Sequence, residues 1–316
     1  MNPYNCSDPG RSFVGYEAER QEVLRGFVNG KSYALLGGRR CGKTSLLMRL
    51  REDLQQRGLK PFQALPRFLD IQSLVPRSPF DFFSRIHTLV TEGLGTPAWE
   101  SPPPRQAYQE FLNRLDELHP LMERAHGARW LVVLLIDELD AAPKHLPDSE
   151  CFENLRNLLM ESRFKPYFRV VASGCSEMGK LIGTGSPLNN LAKLYTRVLT
   201  VEESRELAGK GFLEGLRQDT EEELLRHTGR HAYALQGLLE KLHEAPRPPH
   251  RRESRPSPRC SPAITAMTSR CGTPMWATLA APATRRWQAR PRRASPGSSF
   301  ASAWRGASLS PTASSP

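Results

Sequence analysis

The chain has 316 residues and a formal net charge of +11 at pH 7. No apolar run reaches the ~20 residues that span a bilayer, and residues 1–10 are polar, so the sequence predicts neither a membrane span nor a signal peptide. The six cysteines include no C-x-x-C pair and no partner histidine cluster, which argues against a zinc site and for a reducing, cytoplasmic location.

The first predicted elements surround a glycine-rich loop. Apolar spacing predicts a helix over 17–29, a strand over 32–36 and a helix over 44–57. Residues 37–44 read GGRRCGKT, a complete G-x-x-x-x-G-K-[ST] phosphate-binding loop, or Walker A motif. Such a loop holds a triphosphate on backbone N–H groups at the start of a helix. The predicted nucleotide-binding residues are Gly37, Gly38, Arg39, Arg40, Cys41, Gly42, Lys43, Thr44 and Ser45.

Within this loop each residue type has a physical purpose. Gly37 and Gly42 permit the turn and the close approach of backbone to phosphate. Lys43 reaches the β- and γ-phosphates, and the Thr44 hydroxyl is expected to ligate Mg²⁺. These residues predict a nucleoside triphosphate and Mg²⁺ as ligands, and ATP is favoured over GTP because no N-K-x-D base-reading motif follows along the chain.

A strand near 66–71 and two helical patterns come next along the chain. One pattern carries Phe82, Phe83, Ile86, Leu89 and Val90, and the other covers about 105–119. A proline-rich stretch at 97–104 separates them. The aromatic residues of these helices are expected to form core.

A second motif follows the apolar run at residues 130–136, WLVVLLI. Seven apolar residues bounded by polar ones predict a strand buried on both faces of a parallel sheet. Asp137 and Glu138 then lie at its carboxyl end, where open α/β sheets bind ligands. Asp137 is predicted to hold Mg²⁺ in the Walker B role, and Glu138 to orient or polarise the water that attacks the γ-phosphate.

The remaining elements complete an α/β fold. The sequence predicts a helix near 149–163, strands at 167–172 and 196–201, and helices at 203–216, 219–227 and 231–243. We therefore expect a P-loop NTPase with a mainly parallel five-stranded sheet flanked by helices, a small helical lid and a disordered C-terminal tail. The expected domains are an ATPase core over 1–201, a lid over 202–245 and a tail over 246–316.

Three further segments add to the two Walker motifs. Residues 13–17 read FVGYE, residues 168–174 read FRVVASG, and residues 228–236 read TGRHAYALQ. Taken together, these five segments resemble the STAND-type ATPases of the AAA+-related branch, a group of bacterial signalling and regulatory ATPases. The resemblance spans residues 13–243. Tyr16, Arg230 and Ala232 stand where that family usually has Arg, Gly and Pro.

The resemblance also implies roles for residues outside the Walker motifs. It implies that residues 13–17 border the adenine pocket and that residues 228–236 begin a lid helix. It places Ser173 at the sensor-1 position, which reads the γ-phosphate, so the predicted catalytic set is Glu138, Lys43 and Ser173. It further implies signalling or regulation, with a protein partner or self-association.

The positive charge is confined to residues 246–316. This segment has 12 Arg, no Lys and one acidic residue, Glu253, so it accounts for the whole net charge, and the rest of the chain is neutral. It also has 12 Pro, 12 Ser and no Val or Tyr, which predicts disorder. An arginine-rich arm that binds phosphates, a solvated linker and an out-of-frame translation all fit this composition. The absence of Lys beside 12 Arg favours the last.

These observations predict Mg²⁺-dependent ATP hydrolysis coupled to a conformational switch. One alternative is a DNA-associated AAA+-type ATPase, such as an initiator or a transposition helper, although a neutral core does not support nucleic-acid binding. Another is a nucleotide-binding scaffold with little turnover. A small-molecule P-loop kinase is a third alternative, but the sequence has no obvious acceptor-pocket signature. The signal and the effector are not encoded in any of these motifs.

Overall fold

Five parallel strands form a single sheet in the order β2-β3-β4-β1-β5. The computed structural model describes residues 2–4, 12–74, 78–96, 99, 106–146, 150–212 and 215–245, so the tail expected over 246–316 lies outside the described residues. The strands are β1 (Tyr33–Leu36), β2 (Gln63–Asp70), β3 (Trp130–Asp137), β4 (Phe168–Gly174) and β5 (Ala192–Tyr195). The predicted mainly parallel five-stranded sheet is confirmed, and its carboxyl ends meet at one edge.

Helices cover both faces of this sheet. They are α1 (Glu17–Val28), α2 (Lys43–Arg57), α3 (Ile71–Leu74), α4 (Pro79–Val90), α5 (Ala107–His126), α6 (Glu150–Met160), α7 (Met178–Ile182), α8 (Val201–Gly209), α9 (Gln218–Thr228) and α10 (Ala232–Glu244). Two 3-10 segments, Leu139–Lys144 and Lys165–Tyr167, follow β3 and precede β4. None of the described helices combines the length and the apolarity needed to cross a bilayer.

Strand β3 shows why the core divides into two layers. All eight of its residues are buried, as its continuous apolar run predicts. Because side chains alternate along a strand, Val132 and Leu134 pack in the cluster formed with α4, α5 and α6, whereas Val133 and Leu135 pack in the cluster formed with α1 and α2. Because both faces of β3 are packed in core, the strand is held in place, and so is the loop that begins at its carboxyl end.

The fifth strand is not where the sequence predicted it. The expected strand at 196–201 is wrong, because β5 is Ala192–Tyr195 and residue 201 already begins α8. Thr200 accepts a hydrogen bond from the Glu203 N–H at 3.1 Å, and Glu203 accepts one from the Thr200 N–H at 2.8 Å. This reciprocal capping box stabilises a helix start at this point. Helix α8 also ends at Gly209, well before residue 216.

Helix α5 is longer than expected because it continues through a proline. The predicted helix end at residue 119 is wrong, because α5 continues through Pro120 and ends at His126. Proline removes one backbone hydrogen bond. Burial of Leu118 and Met122 on either side of Pro120 keeps the helix packed on the sheet.

Helices α8, α9 and α10 pack on one another within the segment expected to form a lid. Leu235 and Leu239 of α10 are buried, one turn apart, and Leu238 and Leu242 are partly buried against the same cluster. The packing agrees with the apolar spacing of this segment. The proposed boundary between core and lid stays a prediction.

Candidate nucleotide-binding site

The loop between β1 and α2 adopts a conformation that few residues tolerate. Arg40 and Gly42 have φ angles of 60° and 81°, in the left-handed region. Gly42 is the N-cap of α2, and no side chain caps this helix, so its first N–H groups are available to a ligand. A helix N-terminus of this kind favours an anion.

Gly37 is required by a close approach to the segment after β5. A Cβ atom on Gly37 would lie 1.9 Å from the Thr196 Oγ1, where only glycine fits. The Thr196 N–H in turn donates to the Leu36 oxygen at 2.8 Å. The loop is thus held against the rest of the sheet edge before any ligand is considered.

Lys43 begins α2 and folds back over the loop. Its side chain is buried, and its Nζ donates to the carbonyl oxygens of Gly37 at 3.1 Å and Gly38 at 2.8 Å. Among the ion pairs of the described residues, none joins Lys43 to a carboxylate. A buried ammonium group that is compensated by carbonyl oxygens and a thiol sulfur, without a carboxylate, attracts an anionic ligand.

Three side chains from α2, β3 and β4 meet beneath the loop. The Thr44 hydroxyl donates to the Asp137 Oδ2 at 2.6 Å. The Ser173 hydroxyl donates to the Asp137 Oδ1, and it accepts a hydrogen bond from the Glu138 N–H at 3.1 Å. The structure therefore brings Thr44, which follows β1, into contact with Asp137 at the carboxyl end of β3, and β4 lies between these two strands. Lys43 precedes Thr44 at the start of α2.

These oxygen atoms suit Mg²⁺, which prefers hydroxyl, carboxylate and phosphate ligands. The described residues contain no group of three or more His, Cys, Asp or Glu side chains able to hold a metal ion. A divalent cation at Thr44 and Asp137 would thus need further ligands from water or from phosphate oxygens, which is how Mg²⁺ is commonly bound beside nucleotides.

Glu138 has an unusual backbone and an unsatisfied oxygen. Its φ of 54° lies in the left-handed region, where non-glycine residues are uncommon. Its Oε2 is buried without a hydrogen-bond partner among the described residues. Burial, followed by the nearby charge of Asp137, raises the pKa of the Glu138 carboxyl. An oxygen in this state can accept a hydrogen bond from a water molecule or a ligand.

Ser173, the residue predicted at the sensor-1 position, lies in the interior of the protein. It is fully buried and bonds to Asp137 and to the Glu138 backbone. Two residues further on, Cys175 Sγ lies 3.1 Å from the Lys43 Nζ. No motif marks Cys175, but its position directly after β4 was a usable signal, because the carboxyl ends of parallel strands meet at one edge of the sheet.

The start of α10 contacts the phosphate loop. The guanidinium of Arg40 lies over the Tyr233 ring, 4.6 Å from its centroid, and the Cys41 Sγ lies 3.5 Å from the His231 Nε2. Burial lowers the pKa of His231, so its imidazole is neutral at pH 7. Of the other predicted loop residues, Gly38 and Arg39 are exposed and Ser45 is half-buried on α2.

A second polar network, here called the lid junction, joins Tyr16, Glu19, Arg197 and Glu203. The Tyr16 N–H donates to the Glu203 Oε1 at 3.1 Å, and the Tyr16 hydroxyl donates to the Arg197 carbonyl oxygen at 2.6 Å. The Arg197 guanidinium bonds to both Glu203 and Glu19 at 2.6 Å. Hydrogen bonds from Arg197 lower the pKa of Glu203 to about 2. Sequence reasoning found the segment around Tyr16 but not its two charged partners.

Comparison with known proteins agrees with this fold. No protein-family model and no curated protein matches the chain. Among solved structures, the chain is similar to the Aeropyrum pernix Orc1 protein in complex with DNA, with 17% identity, a TM-score of 0.50, and coverage of 73% of this chain and 60% of that one. It is also similar to a Walker-type ATPase of Pyrococcus abyssi, with 15% identity, a TM-score of 0.50, and coverage of 73% and 67%.

The chain thus spans about 60% of the length of the Orc1 protein. At these identities the likeness establishes the fold and nothing more. That fold is a mainly parallel five-stranded sheet flanked by helices.

Proposed function

We propose that this chain binds ATP with Mg²⁺ and hydrolyses it, and that turnover moves the α8–α10 helices relative to the phosphate loop. The observation that carries the proposal is the convergence of Lys43, Thr44 and Asp137 at one sheet edge, with the Thr44 hydroxyl 2.6 Å from the Asp137 carboxylate. A complete Walker A loop and a Walker B carboxylate in contact are the parts that phosphoryl transfer needs.

Each residue then has a distinct task. The Lys43 ammonium, released from the carbonyl oxygens that hold it, pairs with the β- and γ-phosphates and stabilises the charge of the transition state. Ser173 fixes the Asp137 carboxylate and the Glu138 backbone in one orientation. Bound Mg²⁺ would neutralise charge on the phosphate oxygens.

Glu138 is the proposed group that orients the attacking water. Its buried Oε2 has no partner among the described residues, so it can accept a hydrogen bond from the attacking water. Burial raises the pKa of this carboxyl toward neutral pH, and a general base is most effective when its pKa lies near the working pH.

The contacts between the phosphate loop and α10 support a switch. A ligand that draws Arg40 or Cys41 toward phosphate changes their contacts with Tyr233 and His231. The nucleotide state would then bias the position of α10, which is the form of coupling a regulatory ATPase requires. The resemblance of the five sequence segments to STAND-type ATPases supports our proposal that the chain belongs to that group, with a protein partner or a second copy as effector. The cysteine pattern supports a cytoplasmic location.

A second candidate is a DNA-associated ATPase. It is favoured by the likeness to a structure described as Orc1 in complex with DNA. It is disfavoured by the neutral charge of residues 1–245, because DNA binding depends on basic residues that neutralise phosphates.

Steady-state ATP turnover of the full chain, measured with and without duplex DNA, separates these candidates. A signalling ATPase is expected to turn over at the same rate in both conditions, and a DNA-associated one to be stimulated by DNA. ATP binding without measurable turnover in either condition would identify a nucleotide-binding scaffold and overturn the proposal of hydrolysis.

A further inference from the structure

The backbone pairing of β3 with β4 ends just before the Walker B residues. The last paired residues of the two strands are Ile136 and Ala172. Beyond them, the Ser173 hydroxyl donates to the Asp137 carboxylate and accepts the Glu138 N–H at 3.1 Å. The position of the segment after β3, relative to β4, thus depends on hydrogen bonds made by side chains.

Asp140 makes a second bond of this kind. It lies two residues after Glu138, and its Oδ2 accepts the Cys175 N–H at 2.7 Å. The two groups pack closely, since a Cβ atom on Gly174 would lie 3.0 Å from the Asp140 Cγ. A hydrogen bond from a backbone N–H to a carboxylate is charge-assisted and stronger than one between neutral groups. Asp140 therefore ties the 3-10 segment Leu139–Lys144 to the turn after β4.

Glu138 lies between these two bonds. Its φ of 54° costs free energy for a residue with a Cβ atom, and such a conformation persists only where the surroundings hold it. Its N–H donates to Ser173, and its carbonyl oxygen accepts the Ala141 N–H at 2.9 Å. The bond at Asp140 follows directly. Because the backbone conformation sets the direction of the Cα–Cβ bond, these contacts together set where the Glu138 carboxylate points.

Core packing separates the stability of this segment from its orientation. Leu139 and Ala142 are fully buried in the cluster formed with α4, α5 and α6. Their burial keeps the segment on the protein when the Asp140 bond is removed. Asp140 itself is only partly buried, so a smaller side chain there opens no cavity in the core. Loss of the bond should thus disturb the backbone at Glu138 more than the fold.

We infer that Asp140 is a positioning residue for ATP hydrolysis, which holds the left-handed backbone at Glu138 and so directs the Glu138 carboxylate toward the attacking water. The inference rests on the proposed function, since it assigns Asp140 a task in the same reaction. Asp140 acts through Glu138 and makes no contact of its own with the nucleotide. A small misplacement of a group that orients the nucleophile slows the reaction steeply, whereas nucleotide affinity depends on the phosphate loop.

The test measures single-turnover ATP hydrolysis by the full chain with Mg²⁺ and, separately, equilibrium binding of a non-hydrolysable ATP analogue. Asp140→Ala should slow hydrolysis about 10- to 100-fold and leave the affinity for the analogue within about twofold of the parent. Asp140→Asn should restore hydrolysis to within about threefold of the parent, because the amide oxygen can still accept the Cys175 N–H. Glu177→Ala removes an exposed carboxylate two residues after Cys175 and is the matched control.

Asp140→Ser is a second variant that keeps a polar group at this position. Its hydroxyl is one bond too short to reach the Cys175 N–H, so it should slow hydrolysis as Asp140→Ala does. Parent-like hydrolysis by both variants overturns the inference alone. So does a loss of analogue affinity as large as the loss of rate, which would mean that Asp140 maintains the whole site.

Hydrolysis by Asp140→Asn as slow as that by Asp140→Ala would mean that the charge of Asp140 matters and not its hydrogen bond, and it also overturns the inference. Failure of the parent to hydrolyse ATP overturns the proposed function and the inference with it.

Discussion

The phosphate site, formed by the loop at 37–44 with Asp137 and Glu138, and the lid junction are both polar. They differ in how their charged groups are paired. In the phosphate site, Lys43 has no carboxylate partner and the Glu138 Oε2 has no hydrogen bond among the described residues. In the lid junction, Arg197 bonds to both Glu19 and Glu203, and Glu203 also accepts from two backbone N–H groups. The phosphate site thus offers a ligand a cation without a carboxylate partner and an oxygen without a hydrogen-bond donor, whereas the paired charges of the lid junction hold two segments together.

The largest effect is expected from a substitution of Lys43. Lys43→Ala should weaken ATP binding at least roughly 100-fold, because it removes the mobile cation that pairs with two phosphates. The melting temperature without ATP should not fall, since the variant also removes a buried charge that lacks an anionic partner. Lys31→Ala, at an exposed lysine before β1, is the matched control. ATP affinity equal to that of the parent would show that the loop does not bind phosphate.

Glu138→Gln tests the carboxylate whose Oε2 has no partner among the described residues. The amide preserves the shape of the side chain but does not polarise water as a carboxylate does, so ATP should still bind while hydrolysis loses about 2 to 3 kcal/mol of transition-state stabilisation. Single-turnover hydrolysis measures this directly. Asp140→Asn is the control, because its amide oxygen can still accept the Cys175 N–H. Parent-like hydrolysis by Glu138→Gln would place the catalytic carboxylate elsewhere.

Glu203→Gln should affect stability more than ATP binding. It breaks a partly buried ion pair with Arg197 and should lower the free energy of unfolding by about 1 to 3 kcal/mol. Because the pKa of Glu203 in the folded state is lowered to about 2 from its ordinary 4.5, this contribution is full above pH 4.5 and is lost as the pH falls toward 2. Glu202→Gln, one residue earlier on the exposed face, is the control.

Urea unfolding at pH 7 and pH 3 measures the difference in the free energy of unfolding between the parent and Glu203→Gln. The stability gap between the parent and Glu203→Gln should narrow at the lower pH. A gap of the same size at both values would mean that the charge of Glu203 does not carry the interaction.

The smallest effect is expected from deleting residues 246–316. Both polar regions lie before this segment, and its composition includes few large apolar residues, so its removal should leave the melting temperature and ATP affinity almost unchanged. Any DNA binding, with its steep dependence on salt concentration, should disappear. A large fall in melting temperature would show that the tail packs on the body.

The sequence predicts the phosphate site better than the lid junction. Thr44 and Asp137 were found because each belongs to a short motif next to a buried strand, and parallel topology brings those strand ends together. The lid junction joins residues 181 and 187 positions apart, and no local pattern links them. The strand expected at 196–201 is wrong because the capping box of Thr200 and Glu203 starts α8 at residue 201.

The most direct test of the account is phosphate release from ATP by the full chain as Mg²⁺ is titrated from zero, beside Lys43→Ala prepared in the same way. We expect no release in the presence of a chelator, a saturable rise with Mg²⁺ in the parent, and no rise in the variant. Release that is independent of Mg²⁺, or equal in the two proteins, would contradict the assignment of Lys43, Thr44 and Asp137 to one ATP-hydrolysing site.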